Sequence, residues 1–250
     1  MKIVIITSDL HHELVHTVLQ TFTVRGIVVE KRTDPRHFLQ FYAKGFKRFQ
    51  LRTILEVLYQ VYRVLFVIKK NREVPCLTKT DLVEVINAND TVSFAFIKNI
   101  DPDIILLAGT SIIKSNILNL ARIGVINIHI GINPNYRGGG NPFAILRGDW
   151  NNIGVTVHIV DAGIDTGQPL AIIRIAPSPA YPSLDEYNNY CYHIGLKELL
   201  KIIKVIIDKG TLPTRLFPEI VNSQYFPQLN LITYIKAKWA YRAYLRKITL

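Results

Sequence analysis

Three polar residues, Asn127, His129 and Asp165, stand in apolar or glycine-rich surroundings at spacings that suit acid–base chemistry. Asn127 and His129 fall two apart in Gly124-Val125-Ile126-Asn127-Ile128-His129, and residues two apart on an extended strand share one face. Asp165 lies 36 residues beyond His129, in Asp161-Ala162-Gly163-Ile164-Asp165-Thr166-Gly167. The glycines there let a loop fold tightly enough to return a carboxylate to the strand. An amide, an imidazole and an acid meeting at one point offer donors to an oxygen gaining charge and a route for a departing proton. A carboxylate beside the imidazole is expected to favour its charged form.

Such a site needs a scaffold, and the apolar runs supply one. Segments 3–6, 26–29, 103–107, 125–130, 154–160 and 170–175 are rich in Val and Ile and bounded by Gly, Pro or Asp, which predicts strands. Helical spacing marks 11–21, 112–120 and 142–147 between them. This alternation predicts an α/β fold: a mostly parallel twisted sheet with helices on both faces. Segments 154–160 and 170–175 are separated by one short loop, which predicts an antiparallel hairpin carrying Asp165 at its turn. A long closing helix is predicted over 184–208, stopped by Gly210. Residues 211–250 hold Pro213, Pro218 and Pro227 and then a basic aromatic stretch, which reads as a hairpin followed by a short helix or tail. The expected organisation is a catalytic domain over 1–210, with a basic helical insertion near 35–72, and a small appendage over 211–250.

The bulk properties narrow the function classes. A chain of 250 residues that is 49% hydrophobic has the apolar content for a sizeable core and is not a disordered one. Cys76 and Cys191 lie far apart with no neighbouring ligand types, which excludes a disulfide framework and a cysteine-based metal site. The short apolar run after Met1 meets Ser8-Asp9 without a cleavage signal, so it is expected to be a first strand and the protein cytoplasmic. The net charge of +11 is concentrated. Eleven Lys and Arg against two acids fall between Lys31 and Arg72, and five against none between Leu231 and Leu250.

The segment 37–70 is unusual. Leu51, Ile54, Leu55, Leu58, Val61, Tyr62 and Leu65 form one helical stripe, broadened by Val57, Val64, Phe66 and Ile68. Glu56, Gln60 and Arg63 leave it too charged and too short to cross a bilayer. Three readings stay open. They are a helix packed on the core or on a second subunit, as in a homodimer, an amphipathic element resting at the inner membrane, or a site for an acidic or nucleic-acid partner.

From Asp101 to Gly167 the chain resembles the folate-dependent formyltransferase family. The resemblance runs through Asp101-Pro102-Asp103-Ile104-Ile105-Leu106-Leu107-Ala108-Gly109, Gly124 to His129, Asn135-Tyr136-Arg137-Gly138-Gly139-Gly140, Gly154-Val155-Thr156-Val157-His158 and the Asp165 loop. It implies a Rossmann-like formyltransferase fold, 10-formyltetrahydrofolate as co-substrate with no metal, and Asn127, His129 and Asp165 as catalytic residues. It further implies a pterin pocket from Leu107, Ser111, Ile112 and Ile113 on one side and Val160, Asp161, Ala162 and Gly163 on the other. Thr110-Ser111 stands where many relatives carry bulkier residues. His158 reads as a structural histidine. Acceptor contacts are expected from Thr7, Ser8 and His11 after the first strand, and from Arg137 and Gly138. His12 reads as a helix-start residue.

The acceptor follows by elimination within the resemblance. Thr7-Ser8-Asp9-Leu10-His11 is not the glycine-rich phosphate loop of enzymes that formylate glycinamide ribonucleotide. The stretch after Gly210 is not expected to build the β-barrel of enzymes acting on methionyl-tRNA, so nucleic acid is not the expected partner, and the amino-terminal domain of the formyl hydrolases is not expected before the first strand. A nucleotide-linked amino sugar used in polysaccharide biosynthesis is therefore the expected acceptor. The alternatives are another amine, such as that of methionyl-tRNA, and a catalytically idle relative that binds folate or a nucleotide.

Overall fold

The computed structural model describes residues 1–31, 80–213, 223–227 and 229–249. Its main sheet has seven strands in the order β3-β2-β1-β4-β5-β7-β8. These are β1 (Ile3–Thr7), β2 (Val24–Glu30), β3 (Asp81–Val85), β4 (Ile104–Ala108), β5 (Gly124–His129), β7 (Gly154–Ile159) and β8 (Pro169–Arg174). The first five in chain order pair in parallel, and β7 and β8 join antiparallel at the edge beyond β5. The expected α/β class and the terminal hairpin are therefore present.

Period-two alternation divides the core between the faces of the sheet. Ile3, Ile5, Ile27, Leu106, Ile126 and Val155 face one layer, built by α1 (Glu13–Thr21), α4 (Asn141–Leu146), α5 (Leu184–Lys209) and α6 (Leu231–Thr249). Val4, Ile6, Val28, Ile105, Leu107 and Val125 face the other, covered by α2 (Thr91–Ile100) and α3 (Ser115–Leu118). Strands buried on both faces must be apolar throughout, which is why β1 and β4 are fully buried along their length.

Local signals set the helix ends. Ser183 and Glu186 form a reciprocal capping box at the start of α5, and Gly210 at φ 70° closes it. Asp90 accepts the Ser93 N–H at 2.7 Å and starts α2. Neither α2 nor β3 is foreseen from the sequence. The helix expected over 112–120 shrinks to the single turn of α3, because 109–114 is held as a loop by side chains.

The tail also differs from expectation. No hairpin forms among its described residues. Instead β9 (Tyr225–Phe226) pairs in parallel with β6 (Arg137–Gly138), and α6 is a helix of 19 residues. Tyr234, Ala237, Tyr241 and Leu245 bury one face of α6 in the main core, while Lys238 bonds Asp185 of α5 at 2.9 Å. The basic helix expected over 37–70 lies outside the described residues, as does Cys76, whereas Cys191 is buried in α5. Among the described residues no helix is long and apolar enough to cross a membrane.

The long helix meets the site-bearing strands at Gly195. A Cβ there would approach Val155 to 2.6 Å and Ile128 to 2.9 Å, so α5 rests on β5 and β7 closer than a side chain allows. Gly195→Leu raises helix propensity yet overpacks this contact, and it should lower unfolding free energy by about 1–3 kcal/mol. Urea denaturation of variant and parent checks this; equal midpoints would show that the contact yields.

Candidate active site

The antiparallel pairing of β5 and β7 sets Asn127 opposite His158 and His129 opposite Thr156. Opposed residues on one face stand near enough for side-chain contact, so four polar groups gather on an otherwise apolar sheet. Thr156 Oγ1 donates to Gly131 O at 2.7 Å and accepts the Asn133 N–H at 3.0 Å, which ties down the chain leaving β5.

Asp165 arrives from the loop after β7. Its φ is 51°, a left-handed conformation that Asp tolerates better than most residues. Gly167 permits the turn, since a Cβ there would lie 1.8 Å from Ile159 O. Within the loop Asp161 Oδ1 accepts from Gly163 N–H and from the Thr166 hydroxyl. From outside, the Gly138 N–H donates to Asp165 Oδ2 at 2.9 Å, and Arg137 Nη1 donates to Ile164 O at 3.3 Å.

The carboxylate then sits between two imidazoles. His129 Nδ1 is 3.1 Å from Asp165 Oδ2, and His158 Nε2 is 3.4 Å from Oδ1 and 3.5 Å from Asn127 Nδ2. His158 Nδ1 donates to Ile159 O at 2.7 Å, which turns Nε2 toward the other polar groups. His129 Nε2 donates to Tyr136 O at 2.9 Å. The His129 ring fits there because Gly131 and Gly140 lack side chains: a Cβ at 131 would lie 2.5 Å from Nε2.

Burial pulls the His129 imidazole below its ordinary value of 6.5, against the upward pull of Asp165 and of the Tyr136 carbonyl. Both ring nitrogens face oxygens, Asp165 Oδ2 and Tyr136 O, so each N–H of a protonated ring has an acceptor. Burial would push Asp165 up, but the hydrogen bond to His158, the charges of both rings in acid and the Gly138 N–H outweigh it and hold the carboxyl at about 2.

A cavity of about 360 Å³ opens beside this cluster. Asn127, His158 and Asp165 line it, whereas His129 stands behind Asp165 and is 8% exposed. The expected folate-side residues Leu107, Ser111, Ile112, Ile113, Val160, Asp161 and Gly163 all line it, and Ala162 does not. The acceptor-side expectations fare differently, for none of the five residues lines the cavity. Thr7 is buried and bonds Asp9 O and Ala108 O, Ser8 Oγ bonds Gly109 O, and the His11 N–H bonds Asp9 Oδ1, so these residues build the turn after β1. Arg137 and Gly138 hold the Asp165 loop. His12 and Tyr192, in edge-to-face contact at 5.2 Å, line the cavity instead. His158 was readable as a site residue only through its register with Asn127, a long-range signal. No group of three or more His, Cys, Asp or Glu among the described residues is arranged to hold a metal.

The mostly parallel sheet is shared with solved proteins, and part of the sequence with a known family. The chain belongs to the formyl transferase family, whose sequence profile matches residues 64–193. A methionyl-tRNA formyltransferase of Finegoldia magna is 35% identical over 98 residues, 38% of this chain and 31% of that protein. A Francisella tularensis homologue of the same name is 26% identical over 154 residues, 61% of this chain and 49% of its own. The chain thus spans about a third to a half of these relatives. Among solved structures, phosphoribosylglycinamide formyltransferase of Streptococcus pneumoniae superposes at a TM-score of 0.56 and 16% identity, over 82% of this chain and 98% of that one. WlaRD, a sugar 3N-formyltransferase solved with dTDP and 5-N-formyl-THF, gives 0.54 and 18%, over 97% and 79%. These likenesses establish the sheet and its order.

The Asp165 shift has a stability consequence. A carboxyl whose ordinary value of 3.8 is lowered to about 2 on folding stabilises the protein at pH values above 3.8, and that contribution is lost as pH falls toward 2. Its size is about 2 kcal/mol. Asp165→Asn, which tolerates the same left-handed backbone, should be less stable than the parent at neutral pH, with the gap closing across this window. Chemical denaturation at a series of pH values checks it; a pH-independent gap would mean that the carboxylate charge is not what stabilises.

Proposed function

We propose that this protein transfers a formyl group from 10-formyltetrahydrofolate to the amino group of a nucleotide-linked sugar, with Asn127, His129 and Asp165 as its catalytic residues. The observation that carries the reading is the meeting of Asn127, His158 and Asp165 in the wall of one cavity, with His129 bonded behind the carboxylate. The rest of the lining suits a flat ring, for Leu107, Ile113 and Val160 are apolar and Ile112 is 66% exposed.

Bound in this cavity, the folate would supply an electrophilic formyl carbon. The Asn127 amide is the donor aimed at the formyl oxygen as it gains charge. His158 Nε2, 3.5 Å from the Asn127 amide nitrogen, fixes which way that amide points. The attacking amine would shed a proton to Asp165 with His129 behind it, and that proton would pass to the folate nitrogen as its bond to the formyl carbon breaks and tetrahydrofolate leaves. A protonated His129 ring would place both N–H groups on oxygens, Asp165 Oδ2 and Tyr136 O. His129 thus acts on the proton rather than on the formyl oxygen.

The sugar acceptor draws support from two sources. The turn after β1 is knotted by Thr7, Ser8 and Asp9 side chains and is not a glycine-rich phosphate cradle. The WlaRD likeness extends over nearly the whole chain. The names of the sequence relatives favour methionyl-tRNA as the second reading.

Incubation with 10-formyltetrahydrofolate and a panel of amino-sugar nucleotides, read by mass spectrometry, should show one formyl adduct. Charged initiator tRNA in parallel should stay unmodified. His129→Asn should lower turnover by about 10²-fold or more with the fold retained by circular dichroism. Formylation of the tRNA alone would replace the sugar reading by the second one, and an active His129→Asn would overturn the proton route.

A further inference from the structure

Residues 109–114 run without regular structure between β4 and α3, yet Gly109, Thr110, Ser111, Ile112 and Ile113 form one wall of the cavity. A loop without a ladder of its own must find partners for its backbone groups elsewhere. Glu30, the last residue of β2 and only 2% exposed, supplies them. Its Oε2 accepts the Ser111 N–H at 2.8 Å, and its Oε1 accepts the Ser111 hydroxyl at 2.5 Å and the Ala88 N–H at 3.1 Å. Beside it Asn89 accepts the Lys114 N–H at 2.6 Å and donates to Ile112 O at 2.9 Å. A carboxylate that takes both donors of one residue fixes the backbone and the rotamer of that residue together. A leucine at 111 would offer only its N–H, so the acid at 30 and the small hydroxyl at 111 are a matched pair. The bonds carry the desolvation of a buried charge, which makes the loop a built feature and not a slack connection.

We propose that Glu30, acting through Ser111, is a positioning residue that presets the cavity wall against which the ring of a reduced folate lies. This rests on the folate reading given above. The clasp joins β2 to the loop after β4, whereas the proton-handling groups stand on β5 and after β7, so it governs co-substrate affinity and leaves the chemistry to them.

The probe is 5-formyltetrahydrofolate, with binding followed by titration calorimetry and the loop by amide hydrogen exchange. Glu30→Gln cannot accept at both oxygens, so its affinity for the probe should fall roughly tenfold, with faster exchange confined to 109–114 and the Ala88 amide and the melting temperature retained. Ser111→Ala, which removes only the hydroxyl, should weaken binding less. The double variant should bind no worse than Glu30→Gln alone, because both changes break one contact. If Glu30→Gln fails to fold, Ser111→Ala carries the test through the same two measurements. Parental affinity in a folded Glu30→Gln, or in Ser111→Ala when that variant carries the test, overturns the inference alone. Parent protein that binds no 5-formyltetrahydrofolate, while loop exchange still depends on Glu30, overturns the folate reading and the inference with it.

Discussion

A carboxylate taken out of water must be met by donors, and the site is arranged around that need. Asp165 is 14% exposed, and the groups that meet it come from three places in the chain: His129 at the end of β5, His158 on β7 and the Gly138 N–H on β6. Unpaired, such a charge would cost several kcal/mol and the loop would swing out to water. The antiparallel turn of the sheet at β5 is what allows two histidines to approach one acid. A fully parallel continuation would have carried the chain away through a crossover before returning.

The same need binds the tail to the site. Gly138 can present its N–H only while β6 holds its path, and β6 is paired with β9 through Arg137 N–H to Gln224 O and Gly139 N–H to Phe226 O. Phe226 stacks on Tyr136 and Phe143, and a Cβ at Gly138 would lie 2.3 Å from its carbonyl. Tyr136 in turn presents the carbonyl that orients His129. Residues that look in the sequence like an appendage therefore support two of the groups around Asp165, and α6 packs them onto the main core.

Much of this is legible in the sequence where the signal is local. Asn127 and His129 share a face because strands alternate, Asp165 reaches them because glycines permit its loop, and α5 announces itself with Ser183, Glu186 and Gly210. What escapes is set by partners distant in the chain. His158 looks like any buried strand histidine until the β5–β7 register puts it opposite Asn127. The edge strand β3 reads Asp81-Leu82-Val83-Glu84-Val85, exposed at three of its five positions, and so lacks the apolar density of the inner strands. Three prolines suggest turns after Gly210, but nothing local says that α6 will run unbroken beyond them. Thr7, Ser8 and His11 stand at the strand end where ligands usually lie, and their hydrogen bonds also tie the turn after β1.

His129 shows why pairwise reasoning falls short in a buried site. Counting Asp165 alone favours an imidazolium, yet the ring is so enclosed that lost hydration pulls the other way and lowers its basicity. Geometry answers burial, for Nε2 faces a carbonyl and Nδ1 a carboxylate, so a proton on the ring finds an acceptor for each N–H already in place. The ring fits this position because Gly131 and Gly140 carry no side chains, and the same enclosure that lowers its basicity keeps it oriented between the two acceptors.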